Sequence, residues 1–172
     1  ISRKYNYKLI PGEYAKGIVT AANISEAMDW QSYPTYSDYV LMMQAFATNY
    51  PSLCRLDTIG ISIYGKLVLA LKISDNVNTD EPEPDVFYSS SIHGDELGGF
   101  VLMLRLADSL LTSYSTSSRI KNMVDNLEIW INPLANPDGA YLTGNTISNA
   151  IRGNANGVDL NRNFPDPMAP SI

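Results

Sequence analysis

The sequence contains very few of the side chains that most often form disulfides and metal sites. Its 172 residues include one cysteine, Cys54, and one histidine, His93. The lone cysteine excludes an internal disulfide, and it leaves the compartment open because many exported bacterial proteins also lack disulfides. Cys54 starts an apolar run and has no histidine near it in sequence, so we expect a buried, unreactive residue.

Basic residues and long apolar runs are also scarce. Asp and Glu number 18 against 12 Lys and Arg, which gives a formal net charge of −6. Because phosphate backbones are bound by clustered Lys and Arg, we expect no nucleic-acid partner. No segment is long and apolar enough to cross a bilayer, so we expect no membrane span. The chain begins with Ile1 rather than Met, and we expect a processed or trimmed product from which a signal peptide can have been removed.

The residues that are present predict one globular domain. A chain of 172 residues that is 45% hydrophobic and 17% charged can bury a sizeable core. Residues 1–30 show no clear hydrophobic period and are predicted to be an N-terminal extension or entry segment. The domain proper is predicted over residues 31–172.

The first half of this domain is predicted to contain a helix and a β-hairpin. "TYSDYVLMMQAFATNYP" has the period of a helix, with Thr35 as N-cap, Asp38 in a capping box and Pro51 as the stop. The apolar stripe of this helix comprises Tyr39, Met42, Met43 and Phe46. "CRLDTIGISIYG" and "KLVLALKIS" are strand-like, and Tyr64-Gly65-Lys66 suits the turn between them.

A strand–helix–strand order follows the hairpin. "DVFYSSSIHG" is predicted as a strand that ends at His93, and "NLEIWINPL" as a later strand. Between them, "ELGGFVLMLRLADSLL" predicts a helix and residues 118–124 a shorter one. One face of the longer helix carries Phe100, Leu104, Ala107 and Leu111. This order is typical of an α/β sheet with crossover helices.

Two polar stretches are predicted as loops. "DNVNTDEPEPD" is acidic, but it lacks the glycine and the terminal glutamate of a calcium-binding loop. Residues 134–170 are rich in Asn, Gly, Asp and Pro and have no sustained apolar period. A loop of that length in a compact domain is more often functional than structural.

The first chemical signal is the pair His93 and Glu96. The H-x-x-E spacing at a strand-to-helix turn can bring an imidazole nitrogen and a carboxylate oxygen to one point, and zinc accepts that mixture. Sites in open α/β sheets gather at the carboxyl ends of strands, where this turn is predicted. The alternative is a lone histidine satisfied by a local hydrogen bond.

A second signal is "RGNANGVDLNRNFPD", which spans Arg152 to Asp166. The planar fork of arginine matches a carboxylate, so Asn161 and Arg162 together can grip a terminal carboxylate. A further arginine, Arg152, can stabilise an oxyanion. The alternative is a polar surface loop. "NPDG" at residues 136–139, taken alone, is interpreted as a turn and nothing more.

Taken in order, these motifs resemble the zinc metallocarboxypeptidases, especially the branch with carboxypeptidases N, E and D. The resemblance covers about Tyr36 to Asp166 and rests on "YPSLCRLDTIGISIYGKLVLALKIS", "IHGDELGG", "INPLANPDG" and "NANGVDLNRNFPD". It implies an α/β fold with a mixed central β-sheet flanked by helices. It also implies one Zn²⁺ ion, hydrolysis of the last peptide bond, and a peptide substrate with a free C-terminal carboxylate. A secreted or periplasmic location is favoured by the resemblance alone.

The resemblance assigns a role to each matching position. His93 and Glu96 match the first two zinc ligands, and Asp159 matches the carboxylate that steadies the first histidine. Arg152 matches the arginine that polarises the scissile carbonyl and holds the oxyanion. Asn161 and Arg162 match the pair that binds the substrate carboxylate.

One departure from the family is decisive for activity. The family's third zinc ligand is a second histidine and its general base a glutamate, both from a later part of the domain. The chain resembles only the N-terminal half of the catalytic domain, so we expect a truncated, inactive fragment of an active parent. We expect the missing half to be supplied by the C-terminal part or by another copy.

Two other functions fit some of these residues. An N-acyl amino acid deacylase of the succinylglutamate desuccinylase and aspartoacylase type shares the H-x-x-E turn and a similar "DLNR" segment. A non-catalytic binding module would keep the carboxylate clamp without competent zinc. The hairpin and the "NPDG" turn favour the carboxypeptidase.

Overall fold

The structure is a computed structural model that describes residues 19–162 and residue 164. Helices and strands follow one another in short groups along the described chain. In order they are α1 (Ile24–Ala27), α2 (Tyr36–Asn49), β1 (Cys54–Ile61), β2 (Leu67–Ile73), β3 (Asp85–Ser89), α3 (Gly98–Ser113), α4 (Ser118–Val124), β4 (Glu128–Asn132), α5 (Pro137–Tyr141) and a 3-10 helix (Leu160–Arg162).

The four strands form one mixed sheet in the order β1-β2-β4-β3. β1 pairs with β2 and β2 with β4 in antiparallel fashion, while β3 and β4 are parallel. The predicted mixed α/β fold is therefore confirmed. The predicted hairpin turn joins β1 to β2, with Gly65 at φ 78, a conformation that glycine adopts without steric cost.

Helix α2 begins and ends where its sequence signals predict. The Thr35 side chain accepts a hydrogen bond from Asp38 N over 3.1 Å, and its hydroxyl donates to Asp38 Oδ2 over 2.8 Å. The helix ends at Asn49, shortly before Pro51. Its apolar stripe is buried as predicted: Tyr39, Met42, Met43 and Phe46. Burial of such a side chain stabilises a fold by roughly 1.5–3 kcal/mol.

The core lies between the sheet and helices α2 and α3. Helix α2 packs against β1 and β2, and α3 packs against β2 and β4. The predicted face of α3 is buried there: Phe100, Leu104, Ala107 and Leu111. Cys54 is buried as expected, and burial raises the pKa of its thiol to about 12.

The segment predicted as one long loop, residues 134–170, differs from that prediction. It contains α5 and the 3-10 helix, and it adds Leu134, Tyr141 and Ile147 to the core. A five-residue helix is too short to show an apolar period, so its sequence resembles a loop. Residues 163 and 165–170 of this segment lie outside the described residues.

The predicted N-terminal extension is described only from residue 19 onward. This part contains α1 and contributes Ala21 and Ala27 to the core. Thr20 forms an isolated parallel bridge with Tyr33. Among the described residues, no helix combines the length and apolar character that a bilayer crossing requires.

Candidate functional site

The site lies beyond the carboxyl ends of the parallel strands β3 and β4. Their pairing continues past the strands, since Ser90 N donates to Asn132 O over 3.0 Å. Ser91 then adopts φ 53, which is uncommon for residues other than glycine, and its hydroxyl donates to Glu96 O over 2.9 Å. The turn that these bonds hold carries His93 and Glu96 at the end of the sheet.

His93 is buried between two carboxylates. Its Nδ1 lies 2.9 Å from Glu96 Oε1, and its Nε2 lies 3.0 Å from Asp159 Oδ1. The Asp159 contact joins positions 66 residues apart, which a purely local hydrogen bond does not explain. If Nε2 carries the proton donated to Asp159, Nδ1 presents its lone pair on the side of Glu96.

Arg152 links the same two carboxylates from the other side. Its Nε lies 3.0 Å from Asp159 Oδ2, and its Nη1 lies 3.3 Å from Glu96 Oε1. The segment that carries Arg152 also bonds to the histidine turn through its backbone, because Gly94 N donates to Arg152 O over 3.2 Å. Four of the six predicted site residues therefore form one cluster of ion pairs and hydrogen bonds.

Asp159 occupies the centre of this cluster. Partial burial alone raises the pKa of its carboxyl, but the hydrogen bonds from His93 and Arg152 outweigh that effect and hold the pKa below its usual value. A backbone hydrogen bond from Asn161 N to Asp159 Oδ1, 3.0 Å long, acts in the same direction. Asp159 is therefore an anion at neutral pH that can orient the imidazole.

Asn161 and Arg162 lie on the 3-10 helix that directly follows Asp159. Both are exposed, and Arg162 Nη1 donates to Asn161 O over 3.0 Å. No hydrogen bond or ion pair among the described residues joins the Arg162 guanidinium to His93 or Glu96. Asn163, Pro165 and Asp166, the end of the predicted motif, lie outside the described residues.

The donor atoms of His93 and Glu96 fit two positions of a zinc site. Nδ1 and Oε1 face each other across 2.9 Å, and zinc commonly binds an imidazole nitrogen together with a carboxylate oxygen. The contact between Nε2 and Asp159 is the kind that fixes the tautomer of a metal-binding histidine. A catalytic zinc takes three protein ligands, and this sequence contains no second histidine.

An acidic cluster lies away from this site, in the loop before β3. Asp75, Glu81 and Glu83 form the one group of three metal-type ligands found in the part of the chain that the structure describes. Carboxylate clusters are common in loops without an ion, and the loop lacks the spacing of a calcium site.

The interpretation of "NPDG" as a turn and nothing more is wrong. Asn136 and Asp138 are almost completely buried, so their polar atoms need partners, which other segments supply. Asp138 accepts hydrogen bonds from Ser62 Oγ over 2.7 Å and from Tyr64 N over 3.0 Å, which ties α5 to the β1–β2 hairpin. The signal in the sequence was two polar residues four and six positions after the end of a buried strand.

The backbone around the site is packed too closely for side chains at two glycines. A Cβ at Gly94 would lie closer than 3.0 Å to the backbone of Gly139 and Ala140. A Cβ at Gly139 would lie 2.6 Å from Gly153 O. The histidine turn, α5 and the arginine segment are therefore in direct backbone contact.

A family profile, curated sequences and a crystal structure all match this chain to carboxypeptidases. The zinc carboxypeptidase family profile matches residues 39–171. The chain is 37% identical over 134 residues to carboxypeptidase D of Homo sapiens, covering 76% of this chain and 10% of that protein. It is 39% identical over 138 residues to the carboxypeptidase N catalytic chain of Rattus norvegicus, covering 76% of this chain and 30% of that protein. The crystal structure of carboxypeptidase A from Helicoverpa armigera superposes with a TM-score of 0.68 at 27% identity, covering 83% of this chain and 36% of that one.

Proposed function

The chain belongs to the zinc carboxypeptidase family, and from this membership we propose that it carries part of a site that releases C-terminal amino acids from peptides. It spans about a tenth of carboxypeptidase D and about a third of the carboxypeptidase N catalytic chain. The observation that carries the proposal is the cluster of His93, Glu96, Arg152 and Asp159, which comes from separate segments and joins through contacts of 2.9–3.3 Å.

In this proposal, His93 and Glu96 are two of the ligands of one zinc ion. When bound, zinc lowers the pKa of a water ligand toward about 7 and polarises a carbonyl group. Asp159 accepts a hydrogen bond from the Nε2–H of His93, so the imidazole keeps the tautomer that leaves Nδ1 free for the metal. Arg152 donates to the oxygen of the scissile carbonyl as negative charge develops there.

Asn161 and Arg162 bind the substrate in this proposal. The exposed guanidinium of Arg162 can accept a carboxylate in a two-pronged contact, and the Asn161 amide adds a donor. The proposed substrate is therefore a peptide with a free C-terminal carboxylate.

We propose that the third zinc ligand and the general base are residues outside these 172, in a longer form of the protein or in an associated chain. At about 3 kcal/mol per ligand, two ligands give a zinc Kd on the order of 10⁻⁵ to 10⁻⁴ M. The 172-residue chain alone is then expected to show no measurable peptide hydrolysis, since lack of a general base lowers rates by about 10²–10⁴.

Zinc titration of this chain against a chromophoric chelator tests the ligand assignment. His93→Ala and Glu96→Gln are each expected to weaken zinc binding about a hundredfold, whereas Asp29→Asn, an exposed carboxylate away from the cluster, leaves it unchanged. Equal zinc affinity in all four proteins would refute the assignment.

Peptide hydrolysis tests the reaction. The zinc-loaded chain, and any longer form that contains it, are compared on a short peptide, on the same peptide with a C-terminal amide, and on an N-acyl amino acid. Zinc-dependent cleavage of the free-carboxylate peptide by the longer form alone is the expected result. Preference for the N-acyl amino acid would indicate the deacylase, and zinc binding without hydrolysis in the longer form would indicate a binding module.

A further inference from the structure

We infer that Asn136 is a positioning residue for this site, one that holds the metal-ligand turn and the arginine segment at a fixed separation. The inference rests on the proposed function for its chemical meaning, but its geometry stands independently. Asn136 is 2% exposed, and the hydrogen bonds of its side chain go to backbone atoms and not to the charged side chains of the cluster.

The carboxamide of Asn136 bonds to both segments at once. Nδ2 donates to Ile92 O over 3.2 Å and to Gly153 O over 3.0 Å, and Arg152 O lies 3.4 Å away. Ile92 directly precedes His93, and Gly153 directly follows Arg152. One amide group therefore lies one residue away from a proposed zinc ligand and from the proposed oxyanion arginine.

The orientation of this amide is fixed by its partners. Oδ1 accepts from Gly139 N over 2.9 Å and caps helix α5. The reversed orientation would place Oδ1 against backbone carbonyl oxygens that cannot donate, and would leave Gly139 N facing an NH₂ group. Only an asparagine in this orientation satisfies both sides.

Backbone hydrogen bonds join the same segments that the Asn136 amide joins. Gly94 N donates to Arg152 O over 3.2 Å, and Ile151 N donates to Gly139 O over 2.7 Å. Each bond crosses between segments that the Asn136 side chain also bridges. Removal of the two Nδ2 bonds would leave Ile92 O and Gly153 O without their shared donor, so the backbone bond between Gly94 and Arg152 would open more often.

A serine variant distinguishes the two roles of the Asn136 side chain, which caps helix α5 and also bridges the two site segments. Ser is a good N-cap, so Asn136→Ser keeps the cap of α5 but is too short to reach Ile92 O and Gly153 O. Asn132→Ser is the matched control, because Asn132 is also 2% exposed and its Nδ2 donates to a backbone carbonyl, Leu69 O, over 2.7 Å. Its Oδ1 accepts from Ser89 Oγ on β3 over 2.9 Å, so the control removes a buried amide bridge within the sheet. It leaves in place the side-chain and backbone bonds that join Ile92 and Gly94 to the arginine segment.

Amide hydrogen exchange and zinc titration form the test, with urea unfolding of each variant to correct for global stability. We expect the Gly94 amide to exchange about tenfold faster in Asn136→Ser than in Asn132→Ser after that correction, a factor equivalent to about 1.4 kcal/mol. Zinc affinity should fall at least about tenfold in Asn136→Ser and stay near wild type in Asn132→Ser. Equal corrected Gly94 exchange in the two variants would overturn the inference.

A second variant protects the test against failure to fold. Asn136→Thr keeps a hydroxyl acceptor for Gly139 N, fills more of the space of the amide than serine does and introduces no charge, and the same comparison is made with Asn132→Thr. If the wild-type chain binds no zinc, the proposed function fails, while faster Gly94 exchange in the Asn136 variants still supports the positioning role. Unchanged Gly94 exchange with normal zinc binding leaves the proposed function intact and refutes the positioning role.

Discussion

Tyr39 shows how one buried polar atom can lower the stability of a well-packed core. Its ring is fully buried and meets Phe100 edge-on at 5.2 Å between centroids. Its hydroxyl has no hydrogen-bond partner among the described residues. Burial, with a smaller contribution from Tyr36, raises the pKa of Tyr39, so the hydroxyl stays neutral and remains a desolvated group.

We predict that Tyr39→Phe stabilises the protein by about 1 kcal/mol, because it removes an unsatisfied buried group and keeps the ring. Urea unfolding monitored by circular dichroism measures this change. Tyr141→Phe is the matched control with the opposite sign, since Tyr141 Oη donates to Pro34 O over 2.7 Å and its loss should cost about 1 kcal/mol. Destabilisation by Tyr39→Phe would show that the hydroxyl has a partner.

At this scale the sequence motifs singled out four charged residues that lie together in the structure, and they missed a neutral residue beside them. His93, Glu96, Arg152 and Asp159 belong to motifs with a recognisable spacing, and the structure brings them together. Asn136 was missed because its partners are backbone carbonyls from distant segments, and no pattern in the sequence indicates which carbonyls will need a donor.

Among the elements, strands β2 and β4 are joined by a buried ion pair as well as by their backbone bonds. Lys72 Nζ lies 2.7 Å from Glu128 Oε2, and both side chains are almost fully buried. Lys72 Nζ also donates to Thr79 O over 3.1 Å, and Glu128 Oε1 accepts from Glu81 N over 3.1 Å. The hydrogen bond from Lys72 is the largest cause that lowers the pKa of Glu128.

We predict that Glu128→Gln destabilises the protein by about 3 kcal/mol at neutral pH, because it leaves Lys72 as a buried, unpaired charge. Since the pKa of Glu128 is lowered on folding, its contribution is complete above the usual glutamate pKa of about 4.3 and is lost as the pH falls through the lowered value. Urea unfolding at pH 7 and in acid should therefore show the largest difference from wild type at pH 7.

Asp57→Asn provides the comparison for that experiment. The Arg55–Asp57 pair has a similar distance of 3.0 Å but is about one-third exposed, so its loss should cost far less. An equal decrease in the free energy of unfolding in Glu128→Gln and Asp57→Asn would show that burial does not strengthen the Lys72–Glu128 pair.

The long elements could be predicted from periodicity, and the short ones could not. Helices α2 and α3 and the β1–β2 hairpin carry caps, turns and apolar stripes that each act locally. Helix α5 depends instead on the Asn136 cap and on burial of Tyr141 beneath α2, both consequences of tertiary contacts. Strand order in the sheet is likewise set by which apolar faces meet and not by any single strand.

For the whole molecule, the two ends of the sheet differ in their readiness to associate. Among the described residues β3 pairs only with β4, and it exposes Phe87 by 55% and Tyr88 by 47%. The other edge, β1, also exposes apolar side chains, Ile59 and Ile61, but it has an irregularity between Thr58 and Gly60 and carries the Arg55–Asp57 ion pair. Irregularities and charges on an edge discourage pairing with another chain.

We predict that the 172-residue chain self-associates through β3 as its concentration rises. Phe87→Lys should abolish this association, because a charge on the edge blocks strand addition and removes exposed apolar surface. Sedimentation velocity over a concentration series measures the effect. Ile61→Lys on β1 is the matched control, and abolition by the control but not by Phe87→Lys would refute the choice of edge.

The glycine contact between the histidine turn and α5 bears on how substitution patterns in this region should be interpreted. Gly94 and Gly139 touch through their backbones, so almost any side chain at either position is excluded by volume alone. Intolerance to substitution at Gly94 would thus arise in a selection for folding as readily as in one for catalysis. An unchanged glycine at position 94 would therefore be explained by steric exclusion, even though it lies next to a proposed metal ligand.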